Sequence, residues 1–217
     1  MKPSPNNSHL RYRFGWLALA VAVLRSMPGC WVFSVAPLDE DPGHSVRDLS
    51  VAGDWWQPEL GCTLSIKLAE ASPRPGTGHY YNISYAAPAW TGSDCLIDVG
   101  VYKFKGLLFQ VGEGRFLDLM PDLDDKKPNH PYFMPVHSFH KVVVKDKRLS
   151  LVPISSKWIL ERSRAKTFPL RMRDEFGDKW DVIVLTASSE EIRTFLRAHE
   201  NYEKTFAPEP SFTFEKH

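Results

Sequence analysis

The chain has 217 residues but only three cysteines, and no acidic residue occurs before Asp39. It has no Gly-x-Ser-x-Gly elbow, which removes the usual strand-to-helix nucleophile of the α/β-hydrolases. It has no glycine-rich loop followed by Lys-Ser or Lys-Thr, so no P-loop phosphate cradle is encoded. The carboxylates around Asp122, Asp124 and Asp125 lack the glycine and the closing Glu of a calcium loop. No internal repeat recurs at a fixed period, which excludes solenoids and propellers. Nor is there a surplus of positive charge: 27 Lys and Arg stand against 26 Asp and Glu. A general nucleic-acid binder would carry such a surplus on one face.

What is present begins at the N-terminus. Lys2, Arg11 and Arg13 precede an apolar stretch of eleven residues, 14–24. That length suits the apolar core of a signal peptide and falls short of the about 20 residues a spanning helix needs. Met27-Pro28-Gly29-Cys30 follows, a small residue directly before a cysteine. This arrangement resembles the lipobox of bacterial lipoproteins. The resemblance implies cleavage after Gly29, acylation of Cys30, and a membrane partner through the lipid anchor. It also implies an envelope location, at the periplasmic side of the outer membrane. Two other readings stay open: an ordinary signal peptide cut nearby, or an uncleaved anchor from residue 14 to about 38. The last must bury Arg25, at about 2.5–3.5 kcal/mol near a helix centre.

Removing residues 1–29 takes away Lys2, Arg11, Arg13 and Arg25 and no acid, which leaves 23 basic against 26 acidic residues. If lipid consumes Cys30, Cys62 and Cys95 remain as a pair in an oxidising compartment. A Cys62–Cys95 disulfide is one expectation, and two separate buried thiols are the other. A meander would separate the two cysteines by a full strand, whereas bridged Cα atoms lie within about 7 Å.

Residues 30–47, with Pro37, Asp39, Glu40, Asp41, Pro42 and Gly43, have the composition of an exposed linker. Residues 48–206 read as one β-rich domain, and 207–217, with two prolines, as a flexible tail. Strand patterns run over 62–68, 79–86, 95–105, 107–111, 115–119, 138–145, 148–154, 168–173 and 180–186. Leu64, Ile66 and Leu68 share one face of the first of these; Ile97, Val99 and Val101 share one face of the third. Gly112-Glu113-Gly114 and Asp146-Lys147 are hairpin signals. A short helix is expected near 156–165. A second is expected over 189–202, where Ser188 and Glu191 form a capping box.

About eight or nine antiparallel strands with a closing helix predict a mainly β fold, a closed barrel or strongly curved sheet. Gly53-x-Trp55 then resembles the signature that opens the first strand of lipocalins and other calycins. That resemblance covers about residues 48–202 and implies that Trp55 plugs one barrel end and that a helix follows the last strand. The layout is also similar to uncharacterised bacterial lipoproteins. Ordinary core packing accounts for Trp55 equally well.

His130, His137 and His140 are candidate metal ligands beside the carboxylates of residues 122–125. On a strand, His137 and His140 face opposite sides, so the sequence predicts no metal site. No catalytic residue and no cofactor is indicated. The expectation is a non-catalytic binding module for an apolar small ligand or an envelope component. A filled-core interaction or assembly module with an envelope protein partner is the alternative, and a hydrolase of envelope material a third reading.

Overall fold

The structure, a computed structural model, describes residues 32–69, 78–87, 91–92, 95–96, 100–122, 136–174, 183–201, 204–206 and 212–216. Alternating apolar and polar residues drive most of the chain into antiparallel strands. These are β2 (Gly53–Gln57), β3 (Cys62–Leu68), β4 (Tyr80–Ala87), β7 (Gly100–Val111), β8 (Gly114–Pro121), β9 (Ser138–Lys145), β10 (Arg148–Pro153) and β13 (Phe212–Lys216). In that order they form one closed barrel, with β13 pairing both β10 and β2. The fold is an eight-stranded antiparallel barrel compatible with a calycin-like architecture. Both expected hairpins occur: Gly112 takes φ 62 between Val111 and Gly114, and Asp146 takes φ 55 between Lys145 and Arg148.

Closure depends on the segment expected to be a tail. Phe212 and Phe214 alternate with Thr213, and both phenylalanines are buried in the barrel interior. Residues 212–216 are therefore a barrel strand. Without them β2 and β10 would each present an unpaired edge. The two prolines that suggest a tail precede this strand rather than interrupt it.

The expected linker is also part of the fold from residue 32 onward. Strand β1 (Val32–Ser34) pairs in parallel with β12 (Ile183–Leu185), and Leu38 is fully buried. The Pro and Gly that suggest a tether build a 3-10 turn at Pro42–His44, capped by the Asp41 side chain. Residues beyond it cross one end of the barrel. The Val46 N–H donates to the Leu108 carbonyl, and the Asp48 backbone brackets the Tyr81 hydroxyl.

Three further expectations change. The fourth barrel strand, β7, begins at Gly100 and runs unbroken to Val111, merging the third and fourth expected strands. Before it, β5 (Thr91–Gly92) and β6 (Cys95–Leu96) form a small separate pair. Val101 is 63% exposed, while Tyr102 and Phe104 pack into the barrel, so the inward face is the opposite one. Ile97 and Val99 lie outside the described residues. Gly106 faces inward because a Cβ there would come within 2.7 Å of the Ile83 side chain.

The last two expected strands correspond to β11 (Met172–Asp174) and β12, which join β1 in a three-stranded sheet outside the barrel. Helices α1 (Ser156–Arg164) and α2 (Ser189–His199) form as expected, α2 with its Ser188–Glu191 capping box. However, α2 precedes the closing barrel strand instead of following the last one.

Two cores result. The barrel interior holds Trp55, Leu64, Ile66, Tyr81, Leu108, Leu149 and Phe214 among others. A second core lies outside, where the barrel residues Phe109, Phe116 and Phe139 meet Ile159, Ile183, Ile192 and Phe195 of the helices and small sheet. Trp158 packs there against the rings of Phe168, Phe195 and His199.

Candidate functional site

The barrel interior is the first place a ligand could sit, and among the described residues its middle is packed. The void bounded by Val51, Ile66, Leu108, Leu117, Val142, Leu149 and Leu151 has a volume of ≈ 0 Å³ for a water molecule. One end is closed by residues 46–52. There the Trp55 indole N–H donates to the Val51 carbonyl at 2.9 Å, and Lys216 Nζ stands 5.4 Å from the ring centre.

Polar side chains gather at the end where β3 begins. Gln57 pairs with Cys62 across β2 and β3, and the Tyr85 hydroxyl donates to Cys62 Sγ at 3.0 Å. Burial raises the Cys62 thiol above its ordinary pKa, although the Tyr85 hydrogen bond partly opposes it. Burial, and then the Cys62 thiol, push the Tyr85 phenol far up. Both groups stay protonated near neutrality, so Cys62 is not an activated nucleophile. Gln57 is 8% exposed, and its Oε1 has no hydrogen-bond partner among the described residues.

On β9, Ser138 Oγ and His140 Nε2 lie 2.9 Å apart, both facing inward with Val142. Burial depresses the His140 pKa to about 4, so its ring is neutral. A hydroxyl beside a neutral imidazole is the contact a Ser–His nucleophile requires. Here the two are 7% and 2% exposed. The neighbouring carboxylate serves elsewhere: Leu117 pairs with His140 in the interior, which turns Asp118 to the outer face.

At that outer face Asp118, 3% exposed, accepts from the Leu38 N–H at 2.9 Å and contacts His137 Nδ1 at 2.8 Å. The backbones of Ser34 and His137 bond in both directions at 2.9 Å. Nearby, Asp39 contacts His44, Arg193 and the Asp41 N–H. Burial alone would raise the Asp39 carboxyl, but the Asp41 N–H, His44 and Arg193 together hold it below its usual range. Asp118 fastens the N-terminal segment to the barrel wall, and Asp39 ties it to Arg193 of α2. Asp118 carries no signal in the sequence because a lone Asp within an apolar strand has no local pattern, and Asp39 reads there only as part of a linker.

Comparison of the chain with models of protein families, with characterised proteins and with solved structures finds no match.

The residues singled out in the sequence are not brought to one place. His137 and His140 face opposite sides of the barrel wall, and Asp122 pairs with Lys105 at 3.2 Å. His130, Asp124 and Asp125 lie outside the described residues, as does Cys30. Among the described residues no group of three metal-binding side chains converges. Cys62 is a free thiol and is not bridged here. The backbone of Cys95 belongs to β6, and its side chain lies outside the described residues. The connection carrying β6 leaves the barrel at the Ala87–Gly100 pair, and Thr63 pairs with Ala86. Cys95 is therefore on β6 and not at the start of a barrel strand. No described helix is long and apolar enough to cross a membrane.

Proposed function

We propose that this chain is a lipid-anchored protein of the bacterial cell envelope, acylated at Cys30, whose calycin-like domain is an interaction or assembly module. Its partners are the membrane, through the anchor, and an envelope protein. The packed interior carries the choice of an interaction module over a carrier. A carrier of drug-sized apolar ligands needs a cavity of roughly 300–1,000 Å³, whereas the void among Val51, Ile66, Leu108, Leu117, Val142, Leu149 and Leu151 does not admit a water molecule. The anchor rests on Met27-Pro28-Gly29-Cys30 behind its apolar stretch. The slight acidic excess after residue 29 supports a partner other than nucleic acid.

The small-ligand reading retains one observation in its favour, the Gln57 Oε1 inside the barrel, which has no partner among the described residues. Two measurements test the proposal. Intact mass of the mature protein from a bacterial host should show acyl chains on an N-terminal Cys30. Titration with the apolar probe 1-anilinonaphthalene-8-sulfonate should leave Tm unchanged, since only a ligand of the folded state raises it. An unacylated chain would overturn the anchor, and a concentration-dependent rise in Tm would restore the carrier.

A further inference from the structure

The three-stranded sheet outside the barrel has two unlike faces. Val32, Ser34, Ile183 and Leu185 are buried against the outer core. The alternate residues point the other way. Phe33 pairs with Val184, and Val184 with Arg173, so these three stand side by side across the sheet. The next row holds Val35, bonded through its N–H to the Leu185 carbonyl, and Arg171, whose carbonyl accepts from the Thr186 N–H. Phe33 and Val184 are half-buried; Val35 is 38% exposed, and both arginines are exposed. Arg171 also pairs with Glu191 at 3.3 Å. The outward face thus has an apolar side along β1 and a cationic side along β11.

The position of this sheet in the chain gives it an occupant. Val32, the first residue of β1, follows Cys30 by two positions, which span at most about 7 Å even when fully extended. A tether of ordinary length would let the domain swing away from a lipid-modified Cys30, but here the packed structure begins almost at once. We propose that the outward face of the β1–β12–β11 sheet lies on the membrane surface, with Phe33, Val35 and Val184 in the headgroup layer. Arg171 and Arg173 meet anionic phospholipid headgroups. Aromatic residues settle at that depth, and long cationic side chains reach headgroup phosphates while their stems cover apolar surface. This inference rests on the anchored reading above and adds the orientation of the domain.

The test uses full-length Val184→Cys and Lys67→Cys chains made in a bacterial host with the leader intact. Lys67 is exposed on β3, in a part of the barrel wall outside the outer core. Each chain is labelled with a nitrobenzoxadiazole fluorophore, and the parent chain is labelled alongside as background. The proteins are reconstituted into vesicles of phosphatidylethanolamine and phosphatidylglycerol containing nitroxide-labelled lipid. The label at 184 should lose most of its fluorescence to the nitroxide and the label at 67 none. An Arg171→Glu/Arg173→Glu background should abolish the difference. Equal quenching at both positions, in chains whose mass shows acylated Cys30 and whose circular dichroism matches the parent, overturns the docking face alone. A mass without acyl chains overturns the anchored reading on which it rests.

Discussion

Lys216, the last described residue, holds its ammonium over the ring of Trp55, near the start of the first barrel strand, 5.4 Å from the ring centre. Trp55 is 1% exposed, and the pair marks the seam where β13 meets β2. Trp55→Ala should cost about 3–5 kcal/mol, as large core aromatics do. Lys216→Ala should cost roughly 0.5–1 kcal/mol, the range for an exposed cation–π contact. Urea unfolding measures both. A chain ending at residue 211 should lose the cooperative transition altogether, because the barrel cannot close.

His140 makes stability depend on pH. Its folded pKa is about 4 against an ordinary 6.5. The unfolded chain therefore takes up the proton first as pH falls. The contribution is complete above pH 6.5 and is lost progressively down to pH 4, by roughly 3 kcal/mol in all. A His140→Gln chain should show a flatter stability profile in that window. An unchanged slope would assign the pH dependence to other groups.

Asp118 fastens the N-terminal segment. Asp118→Ala leaves the buried Leu38 N–H without its acceptor and removes the contact to His137. Hydrogen bonds to charged groups contribute roughly 1.5–3 kcal/mol each. Amide exchange should accelerate over residues 32–38 before it does in the barrel strands. Uniform acceleration throughout the chain would mean that the segment does not open separately.

The Cys62 thiol is buried and its pKa raised. Iodoacetamide at neutral pH should modify it slowly in the native protein and fully in denaturant. Non-reducing peptide mapping that joined Cys62 to Cys95 would instead establish the bridge expected from cysteine parity.

Gln57 separates the packed module from the carrier. If its Oε1 is merely an unpaired acceptor, Gln57→Leu should raise stability by about 1 kcal/mol, because a buried unsatisfied group carries a desolvation penalty. If a ligand normally fills that end, thermal shifts by candidate ligands should occur in the parent and vanish in Gln57→Leu.

Short-range pattern carried much of the architecture. Alternation in residues 62–68, the turns at Gly112 and Asp146, and the Ser188–Glu191 cap are each set by neighbours a few residues apart. The sequence alone therefore determined a mainly β chain with two helices, and it marked Trp55 as a core aromatic. Partners distant in the chain decided the rest. Val32 is a strand because Ile183 pairs with it, and Phe212 closes the barrel because Leu151 pairs with it. Segments this short have too little local preference to declare themselves, since β propensity mostly reflects what packs alongside. The same holds for Asp118, whose role exists only once Leu38 and His137 reach it. Whether the interior was open or packed depended on how Leu64, Ile66, Leu108, Leu149 and Phe214 interlock across strands. Side-chain volume is read from the sequence, but the space left between side chains exists only in the folded barrel.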